Sequence, residues 1–226
     1  MHDKLSPSSF FAFASALLAL ITPALAHADY VPPSNTELLL NSQLVAVGEI
    51  VEVHDKTYTL EIQEMLWGEH VKGEQVVITR KRDWACSMRA VSYKAGQRVL
   101  VMGNKSKTTS NHYTLQSAGH EGEALMSGDA VLWTSYAFGE VKPRNNEVKI
   151  GDIEARIWAS KLQLEAFSRA FASIKACYKT SESPATLSRA MLVGEFVCSE
   201  ADYKRRLMES VVFQALEGES RRVHFP

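Results

Sequence analysis

The sequence lacks almost every short feature that announces an activity. It has no G-x-S-x-G elbow, no P-loop, no H-E-x-x-H, no C-x-x-C and no S-x-x-K. Nothing in it therefore signals serine hydrolysis, nucleotide binding, zinc-dependent proteolysis or dithiol exchange. It lacks a surplus of charge as well, since 25 Lys+Arg against 26 Asp+Glu leave a formal net charge of −1. A near-neutral chain carries no electrostatic footprint for nucleic acid or an anionic membrane, and neither partner is expected. Beyond residue 28 no stretch is long and apolar enough to cross a bilayer. Internal repeats and low-complexity segments are missing too. What remains is ordinary: 226 residues, 46% hydrophobic and 23% charged, enough for one moderately large domain or a domain with an appendage.

The first residues read as a secretory signal peptide over 1–28. Lys4 is a weak positive n-region, 10–24 an apolar h-region, and Ala24-Leu25-Ala26 and Ala26-His27-Ala28 are overlapping A-x-A cleavage sites. The expectation is an exported, soluble bacterial protein, periplasmic or extracellular, in an oxidising compartment. Cysteine is scarce, with only Cys86, Cys177 and Cys198. In such a compartment an odd count means one disulfide and a leftover thiol, or an intermolecular bond. Cys177 and Cys198 each end a predicted helix, so a clamp across a helical hairpin is the preferred pairing. That choice leaves Cys86 as a free thiol near Arg82 and Arg89, whose charge would lower its pKa. A bond from Cys86 to either of the others stays open.

The organising stretch is 44–81. Val45, Val47, Val51 and Val53 fall on one face, and after a turn at Asp55-Lys56, Tyr58, Leu60 and Ile62 alternate with Thr59, Glu61 and Gln63. A period of two is the pattern of a half-buried strand. Gly48, in mid-strand, predicts a bulge or bend. Strands are expected at 44–54, 57–66, 75–82, 98–102, 112–117 and 130–136, after a short leucine-rich helical turn at 36–41. Short strands with turn signals between them predict a small all-β barrel or sandwich.

Further on the period changes. Ile153, Ile157, Leu162, Leu164, Phe167, Phe171, Ile174 and Tyr178 recur at helical spacing, with a start anywhere from Asp152 to Ser160; the second suits an N-cap better. Ser183-Pro184 opens a second predicted helix that runs to about Val197. Ser199 caps a third, with Tyr203, Leu207, Val211, Val212 and Leu216 as its stripe and Gly218 as its stop. The predicted organisation is a β domain over 29–150 and a helical segment over 151–226, packed on the barrel or forming a small lobe.

Residues 37–103 resemble the netrin-like, OB-fold modules related to the tissue inhibitors of metalloproteinases. The likeness rests on Leu44-Val-Ala-Val-Gly-Glu-Ile-Val-Glu-Val53, Tyr58-Thr-Leu-Glu-Ile62 leading to Leu66-Trp67-Gly68, Gln75-Val-Val-Ile78, the loop cysteine Cys86, and Gly96-Gln-Arg-Val-Leu-Val101. It implies an α+β chain in which a small antiparallel OB-like barrel precedes the helical segment. It also implies an inhibitor-like binding module. The chain departs from the family in having no cysteine before Cys86, so the N-terminal cysteine that chelates a protease zinc has no counterpart here.

Candidate functional residues are few. Arg80, Arg82 and Arg89 beside Trp84 form a basic and aromatic patch of the kind that OB-folds present to ligands. In an exported protein its expected partner is another exported or envelope protein. His112 and His120 with Glu121 and Glu123 match no standard metal spacing. An N-terminal His27 could chelate copper only if cleavage follows Ala26. No cofactor, no metal and no catalytic residue is expected. The leading expectation is a binding protein. A small exported hydrolase or metal-dependent enzyme would instead show converging titratable groups, and a structural part of an envelope assembly an exposed apolar face.

Overall fold

The computed structural model describes residues 35–81, 89–107, 109–116, 120, 122–133, 144–179 and 195–217. A short helix α1, Asn35–Leu40, leads into β1, Leu44–Val53, and β2, Thr57–Trp67. β3, Gln75–Thr79, β4, Arg98–Lys105, and β5, His112–Leu115, complete a closed ring. Its order is β1-β2-β3-β5-β4 and back to β1, with β3 and β5 parallel and the other pairs antiparallel. A five-stranded ring of this order is consistent with an OB-like barrel.

The sheet continues beyond the ring. β4 also pairs β6, Glu123–Ser127, which pairs β7, Ala130–Trp133. β7 pairs β9, Ile153–Gln163, and β9 pairs β8, Arg144–Ile150. The helix α2, Leu164–Cys177, follows directly, then the two-residue strands β10, Tyr178–Lys179, and β11, Glu195–Phe196, which pair with each other. α3, Glu200–Glu209, and α4, Val211–Glu217, end the described chain. A disulfide joins Cys177 to Cys198 beside the β10–β11 pair.

Two apolar cores share the same strands. Leu44 and Ala46 of β1, Val99 and Val101 of β4, Leu125 of β6 and Leu132 of β7 point into the barrel with Tyr58, Leu60, Ile62, Val76 and Ile78. Their alternates Val45, Val47, Leu100, Met102, Ala124, Met126, Val131 and Trp133 point the other way, beneath α1, α2 and α4. Phe167, Phe171 and Ile174 of α2 and Phe213 and Leu216 of α4 cover that face. Trp133 is the largest side chain there, and its indole donates to Asn35 Oδ1 at 3.1 Å, which ties α1 into the layer.

Several expectations are corrected. β1 is not half-buried: its first residues are buried on both faces, because helices roof the side that a solitary barrel would leave wet. The helix placed from Asp152 or Ser160 starts only at Leu164, and 153–163 is strand. Ile153 and Ile157 are four apart, a spacing that suits one face of a strand as well as one face of a helix. Small Ala155 and Ala159 occupy the alternating inward positions between and beyond them, which hides the period of two. β6 and β8 were not anticipated. The division at 150/151 falls in the tight turn between β8 and β9, inside one hairpin. The second predicted helix lies mostly outside the described residues, and its end is corrected, since Glu195–Phe196 is strand. Ser199 does cap α3, accepting from the Asp202 amide at 3.1 Å. The third helix is broken at Ser210, whose hydroxyl accepts from the Phe213 amide at 3.1 Å.

Gly48 has a steric reason. A Cβ there would lie 2.5 Å from the Glu61 carbonyl oxygen and 2.7 Å from Leu60 Cγ. The β1–β2 register shifts between Val47 and Gly48, so the glycine lets one strand bend closely over its neighbour.

Candidate binding site at the barrel mouth

One end of the barrel opens into a cavity of about 460 Å³ lined by the β1–β2 turn, the end of β3 and the segment 89–93. Asp55 and Lys56 come from the turn, Thr79, Arg80 and Lys81 from β3 and the residues after it, and Arg89, Val91, Ser92 and Tyr93 from the segment. The turn is short because β1 and β2 form a direct hairpin, closed by the His54 amide donating to the Thr57 carbonyl at 2.9 Å. The Arg80 amide donates to the Lys56 carbonyl at 2.9 Å, so the two cations are set by backbone pairing.

Tyr93 is the floor. The Arg89 guanidinium stacks over its ring at 3.9 Å and the Arg80 guanidinium at 4.6 Å from the centroid. The ring itself lies 5.2 Å from that of Tyr58, which projects inside the barrel.

The two arginines have different environments. Arg89 Nε donates to Glu123 Oε1 at 2.6 Å, with both side chains almost fully buried, 4% and 2% exposed. Its Nη1 donates to the Val91 carbonyl at 2.5 Å and to Gln97 Oε1 at 3.1 Å. The other oxygen of Glu123 accepts from the Tyr58 hydroxyl at 2.6 Å. Burial, reinforced by the Glu123 charge, holds the Tyr58 hydroxyl far above its ordinary pKa, so it stays a donor. Gln97 Nε2 donates to the Ser92 carbonyl at 2.8 Å and completes the network. Among the described residues Arg89 Nη2 is buried without a hydrogen-bond acceptor, but the ion pair and the bonds from Nε and Nη1 pin the segment 89–93 to the barrel. Arg89, proposed from sequence as a binding residue, is thus neutralised internally and positions the wall.

Arg80 is different. Its Nη1 donates to the His54 carbonyl at 2.7 Å, while its Nε is buried with no hydrogen-bond partner. Among the described residues neither Arg80 nor Lys56 forms an ion pair with a carboxylate. Arg82, Trp84 and Cys86 lie outside the described residues.

The suggested metal residues do not gather. His112 Nε2 is 2.8 Å from the Thr79 hydroxyl, Glu123 is held by Arg89 and Tyr58, and His120 Nδ1 faces the Tyr93 hydroxyl at 3.5 Å. Glu121 lies outside the described residues. Among the described residues no three His, Cys, Asp or Glu side chains are grouped to hold a metal ion, and no helix is long and apolar enough to cross a membrane.

Sequence reasoning missed Lys56, Tyr58, Tyr93 and Glu123. One signal was available, because Tyr58 falls on the inward face with Leu60 and Ile62, and a buried phenol requires a hydrogen-bond partner.

No family model matches the chain, and no curated protein does. Among solved structures it is similar to one described as that of a "putative exosome complex RNA-binding protein", at 15% identity over 80% of this chain and 99% of that one. The TM-score is 0.26, a level at which the likeness settles neither fold nor function.

Proposed function

We propose that this chain is an exported binding protein whose barrel mouth engages an acidic surface of another exported or envelope protein. The observation that carries the reading is the walled cavity in which Arg80 and Lys56 lack carboxylate partners among the described residues. Cations on a fixed wall without an ion-paired carboxylate favour an anionic partner and steer its approach. The location agrees with the reading, since OB-like barrels bind ligands through the face of strands two and three and the adjoining hairpin loop. Export is supported by the signal-like N-terminus and by the Cys177–Cys198 bond, a linkage that persists in oxidising compartments. The near-zero net charge favours a protein partner over nucleic acid. The netrin-like resemblance supports a binding role, while the missing N-terminal cysteine removes the inhibitory chemistry of the metalloproteinase inhibitors.

The test joins location to charge. Mass spectrometry of the processed protein should find its N-terminus at His27 or Asp29 in the exported fraction. Photo-crosslinking from position 92, on the same cavity lining, should then capture a partner that Lys56→Glu loses and Lys56→Arg keeps. Equal capture by all three proteins would overturn the reading.

A further inference from the structure

The two arginines on Tyr93 make an internal comparison that narrows the ligand. Arg89 shows what the fold pairs with a guanidinium on this ring: one carboxylate, from Glu123, at 2.6 Å. Arg80 presents the second guanidinium to the same ring without that carboxylate. Resting on the proposed binding role, we infer that the mouth accepts one carboxylate from a partner's Asp, Glu or chain terminus, between Arg80 and Lys56.

Three features carry the inference. Arg80 is immobilised before any ligand arrives, by stacking on Tyr93, by Nη1 on the His54 carbonyl and by its amide on the Lys56 carbonyl. Little side-chain freedom is therefore left to lose on binding. Among the described residues its guanidinium has one hydrogen-bond acceptor, the His54 carbonyl at Nη1, and unpaired donors of this kind are costly until an acceptor meets them. Asp55 lines the same cavity, and its negative charge opposes a phosphate dianion or a polyanionic strand more than a single carboxylate. Planar guanidinium and planar carboxylate match in geometry as well as charge.

The test uses the full processed protein and follows the Arg80 Nε–H and Tyr93 ring signals by NMR. Three probes are titrated in parallel: N-acetylglutamate amide, inorganic phosphate and a deca-thymidine strand. The glutamate derivative should saturate in the millimolar range and move both signals. Arg80→Gln and Lys56→Glu should each weaken it by about tenfold. Arg156→Gln, at an exposed arginine paired with Glu147 on β8, should leave it unchanged. Tighter binding of phosphate or of the oligonucleotide through the same residues would overturn the carboxylate assignment. So would the absence of any shift up to ~100 mM of the glutamate derivative, a limit that excludes even the weakest useful affinity. Failure here with charge-dependent partner capture intact defeats the carboxylate claim alone. Carboxylate binding with indifferent capture defeats the partner reading and leaves the site standing.

Discussion

The roofed face of the sheet and the mouth of the barrel are closed by opposite means. Over the outer face of β1, β4, β6 and β7, helices lay Phe167, Phe171, Ile174, Phe213 and Leu216 on valine, leucine, methionine and Trp133. At the mouth the closing groups form a hydrogen-bonded chain from Tyr58 to Glu123 to Arg89 to Gln97. Apolar packing is non-directional, so the roof needs volume and shape. A charged network is directional and fails as a unit when one member is lost. The difference teaches where function can sit. The roof is finished internally, while the mouth has one guanidinium paired with a buried carboxylate and another, among the described residues, without one.

The largest effect is expected from the roof. Phe167→Ala should cost about 3–5 kcal/mol in chemical denaturation, with little dependence on salt, because it opens a cavity under a fully buried ring. At the mouth, Glu123→Leu should cost about 3 kcal/mol by leaving the Arg89 charge buried and unpaired. The double replacement Arg89→Met with Glu123→Leu should cost clearly less than the sum of the single changes. Additive costs would mean that the mouth is held by packing, like the roof, and would erase the contrast.

Between these regions lies Gly48, where β1 bends across β2. Gly48→Ala should cost about 1–3 kcal/mol, because the added methyl meets the Glu61 carbonyl oxygen and Leu60. A neutral result would mean that the strands can part there without loss.

How much of this was legible depended on whether side-chain size advertised the period. Tyr58 to Gln63 alternates large residues with polar ones, and Val45, Val47, Val51 and Val53 share a parity around Gly48, so β1, β2 and the bend could be read. The β8–β9 hairpin could not, because its inward face includes Ala155 and Ala159 and its isoleucines are four apart. The double burial of β1 and β4 reads locally as a simple apolar run, and only the later helices reveal which face they cover. At the site Arg80 and Arg89 were legible as basic residues near an aromatic, but their unequal roles were not. That inequality is set by Glu123, 34 positions from Arg89 in the chain.

The smallest effect concerns the rim of the roof. Lys175 of α2 lies over the half-exposed ring of Trp67 at 4.4 Å and donates to the Leu40 carbonyl at 3.3 Å. Burial lowers its pKa to about 8 from the ordinary 10.5. Between those values the unfolded chain binds the extra proton and the folded one does not, so stability should rise with pH from about 8 toward 10. Above 10 the raised hydroxyls of Tyr58 and Tyr113, whose burial is the leading cause of each shift, act in the opposite sense. After allowance for partial exposure the gain is about 1 kcal/mol. Lys175→Met should flatten that slope, and a slope unchanged in the variant would assign it elsewhere.

The central claim is the division of labour between the two arginines on Tyr93. It is tested most directly by comparing Arg80→Gln and Arg89→Gln for thermal midpoint and for binding of N-acetylglutamate amide on the same samples. The predicted result is a crossed pattern. Arg80→Gln keeps its midpoint and loses binding about tenfold, whereas Arg89→Gln loses stability. If Arg80→Gln instead unfolds early, or binds as the unmodified protein does, the mouth is a structural plug and the account is wrong.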